Sequence, residues 1–361
     1  MSEDTVRRGA RTAIPILLVM LLTLLVPGCR LTDGEGPRDM PPPAAETATK
    51  HAKPSGRRPG VVNIETEQSL NGTRAAGTGI VLDPSGLVLT NNHVIQGATK
   101  INGTDTDNRR TYPAQVVGYD RAGDIAVVRL TGASRLKAAV FTSATGVAVG
   151  DPVTAVGNAG GKGGSPSVVT GRVTALEQSV TARDDTNGTS ERLSGLIETN
   201  APIKPGDSGG PLLNTAGKVI GINTAASSGL ALDGSKPTED HRGYAIPSDR
   251  ALSVARQIER GEASSSVHIG PTAMLGVKVR ANGASPGVVV AEVVAGSPAE
   301  AAGVPVGVSI VSLGGQAVDT PSTLTGLVLA RRPGEVVRLE WTTAQGVLMA
   351  AEVRLAEGPP Q

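Results

Sequence analysis

Gly206-Asp207-Ser208-Gly209-Gly210-Pro211 constrains this chain more than any other stretch. Three glycines in six positions permit turns and close approaches that larger residues forbid. Such a turn leaves the Ser208 hydroxyl accessible and lets the amides of Gly206 and Ser208 converge on one point. Convergent amides stabilise a developing negative charge, and removing one donor typically costs about 100- to 1,000-fold in rate. The hexapeptide therefore reads as a nucleophile beside an oxyanion site. That reading needs two partners, because a serine hydroxyl is a weak nucleophile until a histidine takes its proton and an acid fixes that histidine's tautomer.

The chain has four histidines. His51 lies in a Pro- and Lys-containing stretch and His268 follows a serine run, so both read as linker positions. His93 differs. Residues 79–82 and 87–90 read as two strands around the turn Asp83-Pro84-Ser85-Gly86, and the second delivers Asn91-Asn92-His93 at its end. The carboxylate candidate is Asp124, just before the apolar run Ile125-Ala126-Val127-Val128-Arg129-Leu130, which reads as a buried strand. An acid there also serves as a turn cap, and the residues alone leave both roles open. His, then Asp, then Ser is one of several unrelated chain orders for a catalytic triad.

Thr90-Asn91-Asn92-His93-Val94, Gly123-Asp124-Ile125-Ala126-Val127 and residues 200–211 resemble the three signature blocks of the HtrA (Deg) serine proteases. Gly157-Asn158, Val169-Thr170-Gly171-Arg172-Val173 and Gly243-Tyr244-Ala245-Ile246-Pro247 match the same family in the same order. The resemblance implies a mainly β fold, with a chymotrypsin-like pair of six-stranded antiparallel β-barrels over residues 61–262. It implies His93 as general base, Asp124 as its orienter, Ser208 as nucleophile, and the amides of Gly206 and Ser208 as oxyanion hole. Ile203 would line the primary specificity pocket, and Gly221-Ile222-Asn223-Thr224 would lie in the strand that pairs with substrate. No acid stands at the base of that pocket, so cleavage after Ala, Val or Ile is expected. Polar loops at 178–192 and 226–242 match those that switch the pocket in the family. One departure is Asp207, where many members carry Asn. A buried, unpaired carboxylate is costly, and no freed amino terminus is evident, so Asp207 needs backbone amides or a basic residue.

A helix over 249–260 is expected next, with Leu252, Ala255 and Ile258 on one face. Beyond a serine run, Ser297, Pro298 and Glu300 form a capping box and Gly303 ends that helix. A further helix starts near Thr320-Pro321, carrying Leu324, Leu327 and Val328, and Arg331-Arg332-Pro333-Gly334 stops it. With Met274-Leu275-Gly276-Val277, Gly296-Ser297-Pro298-Ala299 and Gly314-Gly315, residues 268–357 resemble a PDZ domain of the HtrA kind. Such a domain captures a peptide C-terminus as an added strand. The resemblance gives Leu275 and Gly276 the carboxylate, and Met274, Val277 and Leu324 the groove. A β-rich appendage that only packs on the protease is the alternative.

In residues 1–30, Arg7, Arg8 and Arg11 precede an apolar run of about fourteen residues, a leader pattern shorter than the roughly twenty needed to span a bilayer. Val26-Pro27-Gly28-Cys29 resembles a lipoprotein cleavage site with Cys29 lipidated, and an uncleaved signal-anchor is the rival. Either places the catalytic part in the bacterial envelope, outside the cytoplasmic membrane. Residues 31–60 read as a flexible tether. Cys29 is the only cysteine, which excludes an internal disulfide, so stability rests on packing. Aromatics are confined to Trp341, Phe141, Tyr112, Tyr119 and Tyr244, so the core is expected from Val, Ala, Leu and Ile. A net charge of +1 without a basic patch gives nucleic-acid binding no support. No metal cluster or phosphate loop is apparent, and no cofactor is expected. The Asn-Gly-Thr triplets at 71, 102 and 187 read as turns. Family relatives form trimers through N-terminal aromatics, which residues 61–79 lack. The function implied is a membrane-tethered, ATP-independent endopeptidase for unfolded or damaged exported proteins, its PDZ module recognising C-termini. A chaperone or scaffold with a dormant site is the contrasting reading; the complete set of His93, Asp124 and Ser208 favours the enzyme.

Overall fold

A computed structural model describes residues 60–69, 72–183, 190–226, 242–283 and 286–361. The leader, the tether and Cys29 lie outside these residues, as does most of the 226–242 loop. Short β-branched runs between turn residues become strands. β1 (Val61–Gln68), β2 (Thr73–Val81), β3 (Leu87–Thr90), β4 (Lys100–Asp105), β5 (Thr111–Asp120) and β6 (Ile125–Leu130) pair in the order β5-β4-β1-β2-β3-β6. Pairing of β5 with β6 closes this ring into a barrel. β7 (Pro152–Gly157), β8 (Ser167–Arg183), β9 (Ser190–Thr199), β10 (Pro211–Leu213), β11 (Val219–Ala226) and β12 (Gly243–Pro247) form a second closed barrel.

The continuous apolar runs of the first barrel have a simple cause. Successive strand residues point to opposite faces, and here both faces are buried. Val61, Ile80, Leu87, Leu89, Ile125 and Val127 join a core shared with Val156, Leu196, Ile222 and Ile246 of the second barrel. Their neighbours Val62, Val81, Val88, Ala126 and Val128 fill the first barrel's interior. The shared layer holds the two barrels together, and the interior layer gives the first barrel its own core.

α1 (Asn92–Ile95) follows β3, and α2 (Ser248–Glu259) follows β12. On α2 the buried face is Ala251, Ala255 and Ile258, whereas Leu252 is only half-buried. Ala255 and Ile258 lie on the expected face, and only the first position differs: Ala251 replaces Leu252, which gives the i, i+4, i+7 spacing of a helix packed on the shared core. Two turn readings also change. Asn102-Gly103-Thr104 lies inside β4, paired with β1 and β5 on both sides. The 178–192 segment is mostly the β8–β9 hairpin, with residues 184–189 outside the described set. His268 is no linker residue: β13 (Val267–Ile269) pairs with β5, and its ring lies 5.0 Å from that of Tyr119.

β14 (Thr272–Met274) pairs with β21 (Ala356–Gly358). β15 (Val277–Ala281), β16 (Val288–Val293), β17 (Ser309–Leu313), β19 (Val336–Thr342) and β20 (Leu348–Arg354) form one sheet in that order, with β18 (Gln316–Ala317) paired to β17. α3 (Pro298–Ala301) and α4 (Pro321–Leu329) complete this module. The capping box forms with a shift: Ser297 Oγ accepts from the Glu300 amide, but the Glu300 carboxylate accepts from Gly296, one residue earlier. Among the described residues no helix is long and apolar enough to cross a membrane. Trp341, Leu339, Ile310 and Leu324 meet in the module's core. As Trp341 is the only tryptophan, its emission isolates this module. Leu339→Ala is expected to destabilise it by about 2–5 kcal/mol, read as a lower urea midpoint in Trp341 fluorescence.

Candidate active site

Asp124 is reached through a tight turn, and the turn is capped by a different acid. Asp120 Oδ1 accepts from the Gly123 amide at 3.0 Å, which leaves Asp124 to point elsewhere. Its backbone adopts φ +53°, a conformation costing a non-glycine residue about 1–3 kcal/mol. Several bonds hold it there. Asn91 Nδ2 donates to the Asp124 carbonyl at 2.8 Å, and the His93 amide donates to Oδ1 at 3.0 Å. His93 Nδ1 lies 2.9 Å from Oδ2 and 3.0 Å from Oδ1. The Thr224 hydroxyl donates to Oδ2 from β11. Asp124 is buried while the His93 side chain is 44% exposed. The arrangement presents a histidine to the crevice with its inner nitrogen held by an acid.

Ser208 sits across the crevice, in the loop before β10. Its Oγ donates to the Thr224 carbonyl at 3.3 Å, so Thr224 touches both Ser208 and Asp124. Gly206 has φ +97° and Gly209 φ +84°, and a Cβ at either would collide with a neighbouring carbonyl, of Asn158 or of Thr78. Among the described residues the amides of Gly206 and Ser208 donate to no protein acceptor, whereas the Asp207 amide between them donates to the Lys204 carbonyl at 2.9 Å. Two amides next to Ser208 are thus left for an incoming oxygen. Thr78 of β2 latches the loop: its hydroxyl donates to the Gly206 carbonyl at 2.7 Å, and its amide to the Ser208 carbonyl at 2.8 Å. Nothing in the sequence singled out Thr78; its one signal is a polar residue between two glycines in the later, otherwise apolar half of β2.

Asp207 is buried and its partners are neither of the two foreseen alone. Oδ2 accepts from the Lys204 amide at 2.9 Å, and Oδ1 lies 2.8 Å from Ser167 Oγ. Burial pushes this carboxyl above the ordinary aspartate range, and the Lys204 amide, the Ser167 hydroxyl and the Lys204 ammonium oppose that push.

The residues expected to meet substrate divide. Gly221, Ile222 and Asn223 have no open backbone edge: β10 lies on one side and β12 on the other, and Asn223 continues with bonds to Gly209 and Gly210. Ile222 points into the shared core. Among the described residues the open edge of β11 therefore begins at Thr224, because β10 has already turned away into the nucleophile loop. Ile203 is buried against Gly243, inside the second barrel's apolar cluster. In the C-terminal module, β15 is the end strand of its sheet. Leu275 is buried, and its carbonyl accepts from the Ala299 amide at 2.9 Å. Gly276 has φ +84°, and Met274 and Val277 are half-buried beside it. Leu324 is in the module's core and not on its surface. Among the described residues no group of side chains is placed to hold a metal ion.

Residues 77–222 match a family profile described as a trypsin-like peptidase domain, and residues 273–344 match a PDZ domain. Serine protease PepD of Mycobacterium tuberculosis is 35% identical over 330 residues, covering 88% of this chain and 67% of that protein. The periplasmic pH-dependent serine endoprotease DegQ of Escherichia coli is 36% identical over 272 residues, covering 73% of this chain and 55% of its own length. A putative serine protease, HhoA of Synechocystis, is 34% identical over 266 residues, 70% of this chain and 63% of that protein. The chain thus spans about two thirds of PepD and less of the other two. Among solved structures, the HtrA-type protease AlgW with a tripeptide is 29% identical, covering 84% of this chain and 95% of that one with a TM-score of 0.47. With a mainly β trypsin-like domain followed by a PDZ domain, this chain belongs to the HtrA family of serine proteases.

Proposed function

We propose that this chain is an exported serine endopeptidase that cleaves unfolded polypeptide after small or medium aliphatic residues. The observation that carries the reading is the double contact of Thr224, which ties Ser208 and the His93–Asp124 pair into one constellation. His93 is the general base, Asp124 fixes its tautomer through Nδ1, and Ser208 is the nucleophile. A substrate backbone amide arriving at the Thr224 carbonyl takes the place of the Ser208 hydroxyl, which then turns its proton toward His93. The serine oxygen attacks the peptide carbonyl while its proton passes to His93. The oxyanion that forms meets the amides of Gly206 and Ser208. His93 then returns the proton to the leaving amine, and water, deprotonated by the same imidazole, releases the acyl group from Ser208.

An extended substrate fits the open edge of β11 from Thr224 onward. Ile203, packed against Gly243, fills space that a large or charged side chain needs. The edge position of β15, and amides of Leu275 and Gly276 without a protein acceptor among the described residues, support capture of a peptide C-terminus. Location in the bacterial envelope is supported by the leader pattern and by relatives named as periplasmic.

Ser208→Ala is expected to abolish degradation of unfolded casein, a loss of up to about a millionfold in turnover. Equal activity in both proteins would overturn the protease reading, and inactivity of both would favour a scaffold. Thr224→Val leaves one Asp124 oxygen short of a donor, at a cost of about 1–3 kcal/mol. If it falls on the transition state, kcat/KM drops roughly 5- to 150-fold, measured on a peptide anilide. Profiling with peptide libraries is expected to show Ala, Val or Ile before the cleaved bond; a dominant basic or aromatic preference contradicts the role of Ile203.

A further inference from the structure

Asp207 stands between the two oxyanion amides with its side chain buried, and the reaction just described does not use that side chain. Its surroundings pose a problem of hydrogen count. Ser167, at the start of β8, places its Oγ 2.8 Å from Asp207 Oδ1 and 2.9 Å from the Gly157 carbonyl. A serine hydroxyl has one hydrogen to give. A carbonyl and a carboxylate are both acceptors, so with Asp207 ionised one of these two short contacts holds no hydrogen. Both are satisfied if the second hydrogen comes from the aspartic acid itself. Oδ2 already accepts from the Lys204 amide, which leaves Oδ1 as the oxygen to carry the proton.

We propose that Ser167 is the positioning residue of the oxyanion loop and that Asp207 meets it as a neutral acid, donating its proton to Ser167 Oγ while that hydroxyl donates to the Gly157 carbonyl. The chain of bonds runs from β7 through Ser167 to the residue between the two oxyanion amides. It performs the anchoring that a buried cation would otherwise have to supply. The elements packed around Asp207 bring little charge. The end of β7 offers Gly157, and the turn after it offers Asn158, whose side chain bonds to Gly163 and Gly77. β8 offers the Ser167 hydroxyl, and the loop before the nucleophile offers Lys204, an exposed residue. Gly157 approaches so closely that a Cβ there would stand 2.6 Å from Oδ1, so water has no room on that side. Burial raising the Asp207 carboxyl above its ordinary value acts in the same direction. The neutral form's contribution to stability is then full below the ordinary aspartate pKa and is lost as pH rises through the raised one.

The catalytic consequence rests on the protease reading, whereas the protonation state does not, and the test separates them. Infrared difference spectra of the wild-type protein and Asp207→Asn at neutral pH are expected to show a protonated-carboxyl band that the variant lacks. Absence of that band overturns the proposal whether or not the protein is active. On a peptide anilide, Ser167→Ala is expected to lower kcat by up to about 100-fold with KM little changed, and Ser167→Thr, which keeps the hydroxyl, to recover most of it. Wild type is expected to lose kcat on the alkaline side as Asp207 ionises, and Asp207→Asn, whose amide donates at every pH, to lack that limb. An unchanged kcat in Ser167→Ala, or the same alkaline limb in Asp207→Asn, overturns the positioning role. If Ser167→Ala does not fold, the infrared comparison still decides.

Discussion

The nucleophile loop is held by a barrel to which it does not belong. Thr78, on β2 of the first barrel, binds the carbonyls of both Gly206 and Ser208, and Thr90 Oγ1 on β3 binds Thr78 in turn at 2.7 Å. The Thr78 hydroxyl also accepts from the Asn158 amide at 2.9 Å. These are buried, fully used polar groups in an apolar setting, where each bond is electrostatically stronger and each loss more costly than in water. The apolar layer shared by the barrels fixes their separation. The threonine latch then converts that fixed separation into a defined position for Ser208 and the two amides beside it.

The same economy governs the acid side of the crevice. Asp124 is buried and held in a left-handed conformation; Asn91 donates to its main-chain carbonyl, while the amide and ring nitrogen of His93 and the hydroxyl of Thr224 meet its carboxylate. A carboxylate in that position is tolerated because its oxygens are occupied by donors. Each of those donors also positions something that matters, since His93 receives its orientation and Thr224 brings its carbonyl to Ser208. Asp207 is the contrasting case. It has one backbone amide and one hydroxyl where Asp124 has three donors, and burial dominates its environment.

Much of this was legible in the chain because its signals are local. The strands flanking residues 83–86, the helix caps at Ser297 and Thr320 and the glycines of residues 206–211 are each written in a few adjacent residues. The placement of His93 beside Asp124 needed only that two strand ends face one crevice. Other features had no local signal. Whether a strand edge is open depends on which strands flank it, so Gly221, Ile222 and Asn223 turned out to be enclosed and Thr224 to begin the open edge. His268 joined a strand because β5 of the first barrel has an edge for it to pair with. Leu252 and Ala251 exchanged roles because the close approach of α2 favours the smaller side chain.

The sequence by itself determined the family, the two-module order and the chemical identity of the groups around Ser208, because these depend on residue types in short, ordered blocks. Only the tertiary structure decided who holds whom. Thr78 and Gly206 are 128 positions apart, Thr224 and Asp124 are 100 apart, and Ser167 and Asp207 are 40 apart. Single threonines and serines are common and carry no pattern, so nothing in the chain marks them before the barrels close. Their function arises from the closed fold, which withdraws these hydroxyls from water and leaves each bonded to the protein groups it faces.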